Sequence, residues 1–497
     1  MDKDFHYYAT FAAAKLAGWD EKKAQTIAYA AQFVDDFDYN YGYGGEPWYI
    51  KYKNKNNLEL PHTGTLRFEK AAEHIFKVSP RRTAQNDKSD FVLDKHVRRD
   101  IWVPFHFLPG NFIPKGKDTV PGYIQRKVAK LPHADFKLLA RPMSPLAIDM
   151  INDLLNLDHD EPYFLHLLGL RMHVFADTWA HQDFVGDGIK AINDCAGWYN
   201  FYEAEPSIMK QVDWQVLSTE LEYAPPIFIF QSYLGHGRLG HFPDFGWCRY
   251  YYTPAWLQQE GKFMIGRDNP REFEKAFFEM VKVMWAAKNG KKKYPLGTNE
   301  GPEMKAQVRE NIQLAICLDQ ARFFKIKKGG SFKESEGMWK DVMAQTEGIG
   351  KIPKDYDKTE WRKAAEKDGS LTKDKGYHWN NGDAFEDSNI YRFNLAAEHQ
   401  FAFIQEKLRE YLGYELRPWD RESKLPLGTR WVPDTEANVC SHCTKQFSTL
   451  VRRHHCRRCG KVFCDACTSS RAVIPGSDYK KPQRICRACL SVISKKI

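Results

Sequence analysis

The stretch His166-Leu-Leu-Gly-Leu-Arg-Met-His173-Val-Phe-Ala-Asp177-Thr-Trp-Ala-His181 decides the reading of the fold. Its polar ligand types stand at offsets 0, 7, 11 and 15. At about 100° per residue these project to roughly 0°, 340°, 20° and 60°, one helical face within about 80° of arc. The remaining positions are apolar enough to bury the helix. Buried ionisable groups need one another or a metal. His173, Asp177 and His181 therefore read as a metal-ligand set, with a His–Asp hydrogen-bond ladder as the alternative. His166 alone reads as a satisfied core histidine.

A buried helix needs others around it. From Phe5 to about Tyr414 the apolar pattern is mostly helical, as at Ala24–Phe37, Arg271–Lys288, Met304–Phe324 and Arg392–Tyr411. This predicts a mainly α fold, a large helical bundle. Strand signals are few, and Tyr39–Pro47, Leu108–Gly122 and Tyr294–Pro302 read as loops. Glu347–Gly382, rich in Lys, Asp and Gly, reads as a solvated insertion. The domain boundaries expected are an all-α body over 1–415, a linker over 416–430 with prolines among charges, and a small finger over 431–497. No internal repeat is found.

Of the eleven cysteines, eight form four C-x-x-C pairs: Cys440/Cys443, Cys456/Cys459, Cys464/Cys467 and Cys486/Cys489. Cys195, Cys248 and Cys317 are isolated. Paired spacing argues for two tetrahedral zinc sites and a reducing compartment, against a disulfide framework. Charge is divided along the chain. Thirteen Lys/Arg against four Asp/Glu in 431–497 leave +9, the whole-chain total, so 1–430 is formally neutral. Zinc-bound thiolates would lower the finger to roughly +5. A basic pole on a neutral body predicts an anionic surface as partner. No stretch approaches the roughly 18 consecutive apolar residues of a membrane helix, and no export signal is recognised.

Residues between the cysteines separate the finger classes. Trp431-Val-Pro-Asp434, Arg452-Arg453-His454-His455-Cys456-Arg457-Arg458-Cys459-Gly460 and Arg484-Ile485-Cys486 together resemble the signature elements of FYVE domains. The resemblance implies two interleaved zinc sites, Cys440/443/464/467 and Cys456/459/486/489, and phosphatidylinositol 3-phosphate as ligand. It further implies phosphate contacts from Arg452, Arg453, His455, Arg457 and Arg484, with Asp434 and His454 on the sugar hydroxyls. Leu450 falls where the family inserts a loop into the membrane. Arg forks and protonated histidines suit phosphate, so binding should weaken as pH rises. One leucine buries little, so a homodimer or a second contact is expected to complete docking. The location implied is cytosolic and peripheral on endosomal membranes, or a host's endosomes if the chain is bacterial.

The H-x-x-x-D-x-x-x-H helix resembles the zinc-dependent phospholipase C and single-strand nuclease superfamily, an all-α fold with two or three zinc ions. By that resemblance the body ligands are His6, Asp36 or its neighbour Asp35, His106, His173, Asp177, His181, His241 and Asp244. The last ligands would come from Gly-His236-Gly-Arg-Leu-Gly-His241-Phe-Pro-Asp244. The superfamily's N-terminal tryptophan ligand has no counterpart, which predicts a dinuclear site or Asp4 in its place. The body as a whole looks like a family of uncharacterised bacterial proteins. The resemblance implies a metal-dependent phosphoester hydrolase, phospholipase C-like, with Asp35 or Asp36 as general base. A nuclease or soluble phosphoesterase, and a non-catalytic endosomal scaffold, are the alternatives.

Overall fold

The computed structural model describes residues 1–38, 48–51, 67–70, 75–78, 80–84, 95–112, 137–187, 190–195, 200–202, 209–211, 234–240, 242–252, 254, 265–317, 332–368, 371–373, 377–412, 432, 434, 437–474, 479 and 481–494. It divides into two compact units, Met1–Leu93 with Asp100–Ile404, and Asp94–Arg99 with Gln405–Ile497.

The first unit is built on helices. A π-helical segment, Asp4–Ala9, runs into α1 (Thr10–Leu16) and is followed by α2 (Glu21–Phe33). Then come α3 (Lys95–Phe105), α4 (Pro145–Asn156), α5 (Phe164–Ala180), α6 (Asn269–Lys288), α7 (Ala306–Cys317), α8 (Phe332–Gln345), α9 (Glu360–Asp368) and α10 (Asn389–Leu412), of which residues 95–99 of α3 and 405–412 of α10 fall in the second unit. Local chemistry sets their starts. The Asp20 carboxylate accepts from Lys23 N at 2.9 Å to cap α2. Ser144 Oγ accepts from Ala147 N at 3.2 Å to cap α4, with Pro145 pre-set in its first turn.

The ligand-bearing stretch forms α5, and every residue of it except Leu165 is buried. Its closest neighbour is α2. A Cβ on Gly169 would lie 2.2 Å from the Ile27 carbonyl oxygen, so the two backbones approach where no side chain intervenes. That contact stands one turn from His173 on α5. The C-terminal end of α5 is held by Arg267, fully buried, whose Nη2 donates to Trp179 O at 2.6 Å and Ala180 O at 3.2 Å. Glu272 neutralises it at 2.7 Å. An internal arginine thus satisfies the carbonyls that a helix end leaves open, directly before His181.

Strand content exceeds the expectation of a bundle with few strands. A five-stranded sheet has the order β2 (Arg67–Lys70), β3 (Ile75–Val78), β1 (Trp48–Lys51), β9 (Tyr377–Trp379), β8 (Leu371–Lys373), with β1 and β9 parallel. A four-stranded antiparallel sheet has the order β5 (Met209–Gln211), β4 (Asn200–Tyr202), β6 (Arg249–Tyr252), β7 (Ile265–Asp268). These strands are three or four residues long, too short for a period-two pattern to stand out.

Glu347–Gly382 is not the solvated insertion expected from its charge. Its aromatic residues anchor it: Trp361 is buried and stacks on Tyr29 at 4.1 Å, Trp379 stacks on Phe385 at 4.0 Å, and Tyr356 OH donates to Asp36 at 2.9 Å. The expected linker 416–430 lies outside the described residues. No helix among the described residues is long and apolar enough to cross a membrane.

The second unit contains the cysteine-rich finger. Among its described residues are two short antiparallel pairs, β10 (His454–His455) with β11 (Val462–Phe463) and β12 (Arg471–Ala472) with β13 (Gln483–Arg484). The short helix α11 (Asp465–Thr468) lies between the two pairs, and α12 (Arg487–Ser494) follows the last strand. Six of the eleven residues in the finger's buried cluster are cysteines.

Candidate metal sites and lipid-facing surface

In the finger, Cys440, Cys443, Cys464 and Cys467 converge in one group, and Cys456, Cys459, Cys486 and Cys489 in another. The first C-x-x-C pair shares its site with the third, and the second with the fourth, which is cross-brace ligation. Two equivalent knuckles present the thiols. Thr444 N donates to Cys440 O at 3.0 Å and Gly460 N to Cys456 O at 2.8 Å. Both turning residues have positive φ, 56° at Thr444 and 67° at Gly460, a conformation that costs glycine little and threonine more. All eight thiols are free. A core composed largely of such thiols lacks the apolar area to fold by itself, and tetrahedral zinc fits both sets.

The basic run lies beside these sites. Arg452 and Arg453 are exposed, and Arg453 Nε donates to Ala437 O at 2.9 Å. His455 is buried, donates through Nε2 to Val432 O at 2.6 Å and lies 3.8 Å from Asp434. Arg457 Nη1 donates to His455 O at 2.6 Å. His454 and Arg484 both face Asp465, at 3.7 and 2.6 Å. Leu450 is 93% exposed at the tip of a turn in which Ser448 Oγ accepts from Leu450 N and Val451 N at 3.3 and 3.1 Å. Trp431 of the signature lies outside the described residues.

In the body, three groups converge on α5: His6/Asp35/His173, His106/His173/Asp177 and His181/His236/Asp244. Asp177 is the hub. Its Oδ1 is 3.1 Å from His6 Nε2, and its Oδ2 is 3.2, 3.6 and 3.6 Å from His173, His106 and His181. The His6 and His173 rings stack at 3.7 Å. Asp244 Oδ1 stands 3.1 Å from His181 Nε2, and its Oδ2 3.4 Å from His236 Nε2.

Backbone carbonyls fix three of the imidazoles. His106 Nε2 donates to Thr83 O at 2.8 Å, His181 Nδ1 to His106 O at 2.7 Å, and His236 Nδ1 to Gly240 O at 2.8 Å. Each ring therefore turns a lone pair toward the carboxylates, as metal-ligating histidines do. Burial, the largest influence, lowers the pKa of His6 to about 4, that of His181 below its ordinary value, and that of His173 well below it. Proton uptake on these rings is thus disfavoured. Asp177 and Asp244 are buried yet held well below the usual carboxylate range by the surrounding histidines and the Met1 amine. Asp35 is pushed well above it by burial and by Asp177. Lone pairs and carboxylates facing one another, with His6 Nδ1 and His173 Nδ1 making no hydrogen bond among the described residues, suit divalent cations. The Met1 α-amine also reaches the cluster, donating to Asp177 Oδ1 at 2.7 Å and lying 3.1 Å from Asp244.

Several residues take places other than those expected. Asp35 joins the cluster; adjacent Asp36 points away to Tyr356 and is 3.5 Å from Gln32 Nε2, which also donates to Asp35 at 3.2 Å. His236 takes the place assigned to His241, which lies outside the described residues. Asp4 bonds Ser335 and Phe5 N and is no substitute for an amine ligand. His166 Nε2 donates to Asn389 Oδ1 at 3.0 Å as a core histidine. Sequence reasoning missed Asn269, fully buried, whose Nδ2 donates to Phe242 O and Phe245 O at 2.8 Å each and so pins the loop carrying Asp244. No sequence spacing announces such a contact.

Fold and site together define a two-part protein, a helical body with a buried His/Asp cluster and a cross-brace zinc finger. The chain belongs to the family described as "Family of unknown function (DUF6765)", which matches residues 1–408, and it carries a FYVE zinc finger at 430–495. Over 81 residues it is 43% identical to the human "FYVE, RhoGEF and PH domain-containing protein 6", covering 15% of this chain and 6% of that protein. It is 42% identical over 80 residues to human "Early endosome antigen 1", covering 16% and 6%. It is 40% identical to the LM5-1 FYVE domain from Leishmania major, with a TM-score of 0.13, covering 14% of this chain and 93% of that one. The chain thus spans only 6% of the length of the two human relatives.

Proposed function

We propose that this protein docks on membranes containing phosphatidylinositol 3-phosphate through its FYVE finger, as a peripheral endosomal protein. The observation that carries this reading is the combination of the Arg/His run beside the second zinc site with Leu450, 93% exposed on a pinned turn. Arginines match phosphate oxygens bidentately, and the leucine supplies an apolar wedge for the lipid interface. The named relative Early endosome antigen 1 supports the location. Cosedimentation of the full chain with vesicles containing or lacking the 3-phosphate lipid tests it. Binding that depends on the lipid and falls at least tenfold in Arg452→Ala supports docking; equal binding to both vesicles refutes it.

Docking needs no chemistry from the body, and a non-catalytic scaffold satisfies it. The His/Asp cluster favours a second reading, in which the body holds two or three divalent metals and hydrolyses a phosphoester. His6, His106, His173, His181 and His236 with Asp35, Asp177 and Asp244 would hold the ions. Such ions would supply Lewis-acid polarisation of a phosphoryl oxygen. Asp35, which accepts from Gln32 Nε2 at 3.2 Å and is oriented by it, is the candidate base. The neutral body disfavours long nucleic acids, whose binding leans on many cationic contacts. Zinc per full-length chain discriminates. About two zinc ions, unchanged by His173→Ala with Asp177→Ala, leaves the scaffold; four or five, falling to two in the double variant, establishes the body site.

A further inference from the structure

In the finger, the Arg484 guanidinium is already engaged. Its Nη1 donates to Asp465 Oδ1 at 2.6 Å and also lies 3.4 Å from Thr468 O. The same carboxylate oxygen stands 3.7 Å from His454 Nε2. Asp465 is 67% exposed, whereas Arg484 is 24% exposed and paired by β13 to Arg471 of β12. An exposed surface carboxylate therefore sits against the less exposed Arg484 and His454, in the position of an anionic oxygen bridging the two.

We propose that Asp465 is an internal competitor of the lipid phosphate: its carboxylate occupies Arg484 and His454 in the free finger and must be displaced for the headgroup to bind. This rests on the docking reading above and adds a regulation to it. The physical case is one of charge and anchoring. A phosphate monoester carries up to two charges and three acceptor oxygens where a carboxylate carries one charge and two, so it outcompetes Asp465 at the same guanidinium. The exposed ion pair is itself weak and is screened by salt, so the displaced carboxylate returns to water at small cost. The remaining cost lowers lipid affinity and makes binding depend on headgroup density in the membrane. Asp465 also repels a phosphate from one residue beyond Cys464, a repulsion that its amide analogue lacks.

The test uses the full chain, vesicles of phosphatidylcholine with and without phosphatidylinositol 3-phosphate, and vesicles in which phosphatidylserine supplies equal charge. Asp465→Asn is expected to bind the 3-phosphate vesicles about three- to tenfold more tightly than wild type, with zinc content unchanged. On the Arg484→Ala background the same substitution should gain less than twofold. Unchanged or weaker binding by Asp465→Asn with full zinc content overturns the competitor, the weaker case marking Asp465 as an aid that orients Arg484. An equal gain on phosphatidylserine vesicles, or an undiminished gain without Arg484, also overturns it by reducing the effect to net charge. Wild-type chain that ignores the 3-phosphate lipid altogether refutes the docking reading itself, a separate outcome. Asp465→Ser serves as a second variant should the amide lose zinc.

Discussion

Gly169 of α5 and Ile27 of α2 meet backbone to backbone, so that a Cβ at 169 would stand 2.2 Å from the Ile27 carbonyl oxygen and 2.7 Å from Ala30 Cβ. This contact places the last turn of α2, with Asp35 following it, beside His173. Gly169→Ala cannot be absorbed by a flexible side chain, because the nearest atom is backbone. It is expected to destabilise the body by about 2–4 kcal/mol through helix separation, although alanine is the better helix former. Urea unfolding followed by tryptophan fluorescence measures this. A variant as stable as wild type would mean that α2 and α5 need not approach so closely.

Two buried histidines on one face of α5, His166 in its first turn and His173 at its middle, should behave differently. His166 contacts Asn389 at 3.0 Å and the Trp361 ring at 5.2 Å, away from any carboxylate cluster. His173 lies 3.2 Å from both His106 Nδ1 and Asp177 Oδ2. His166→Ala is expected to lower stability by about 2 kcal/mol while leaving zinc per chain unchanged. If the body holds the metals of the second reading, His173→Ala should abolish one metal equivalent or more. Elemental analysis of both proteins after identical zinc supplementation gives the comparison, and equal metal loss in the two would sink the division.

Acid should act on the body through Asp153. Its carboxylate meets Arg171 at 2.6 Å and His399 at 2.9 Å. Burial alone would raise its pKa, but the His399 hydrogen bond and the fully buried Arg171 guanidinium together hold it well below the usual carboxylate range. A depressed folded pKa means that stability is present above the unfolded value of about 3.9 and is lost as pH falls through the folded value. Asp153→Asn is therefore expected to cost about 3 kcal/mol at pH 7, where it strands Arg171, and progressively less below about pH 4. Unfolding of both proteins across pH 3 to 7 checks this; a gap independent of pH counts against the pair.

What could be read from sequence was what is local along the chain. The face of α5 follows from one periodicity, and the four C-x-x-C pairs with their intervening basic run name their finger by spacing. Choosing Asp35 over Asp36 was not possible, because adjacent residues at the end of α2 point different ways and only the approach of α5 decides between them. His236 was in the quoted glycine-rich run, but its role depends on Gly240 O orienting its ring. The supports of Arg267 and Asn269 are tertiary contacts between segments far apart in sequence. Glu347–Gly382 misled because its mean composition is polar while a few aromatic residues, Tyr356, Trp361 and Trp379, carry its packing.

Membrane insertion should depend on Leu450 more than on any other apolar residue of the finger's turn. It is 93% exposed, and Ser448 holds the turn by accepting from Leu450 N and Val451 N, so the backbone that presents the leucine is already set on entry. Burying such a side chain in an acyl environment is worth about 1.5–3 kcal/mol. Leu450→Ala is therefore expected to weaken binding to 3-phosphate vesicles about tenfold and to lower the pressure at which the chain penetrates a lipid monolayer. The headgroup contacts are untouched, so competition by a soluble, short-chain 3-phosphate lipid should be unchanged. Loss of that soluble binding in Leu450→Ala would mean that the turn shapes the phosphate site and is not merely a wedge.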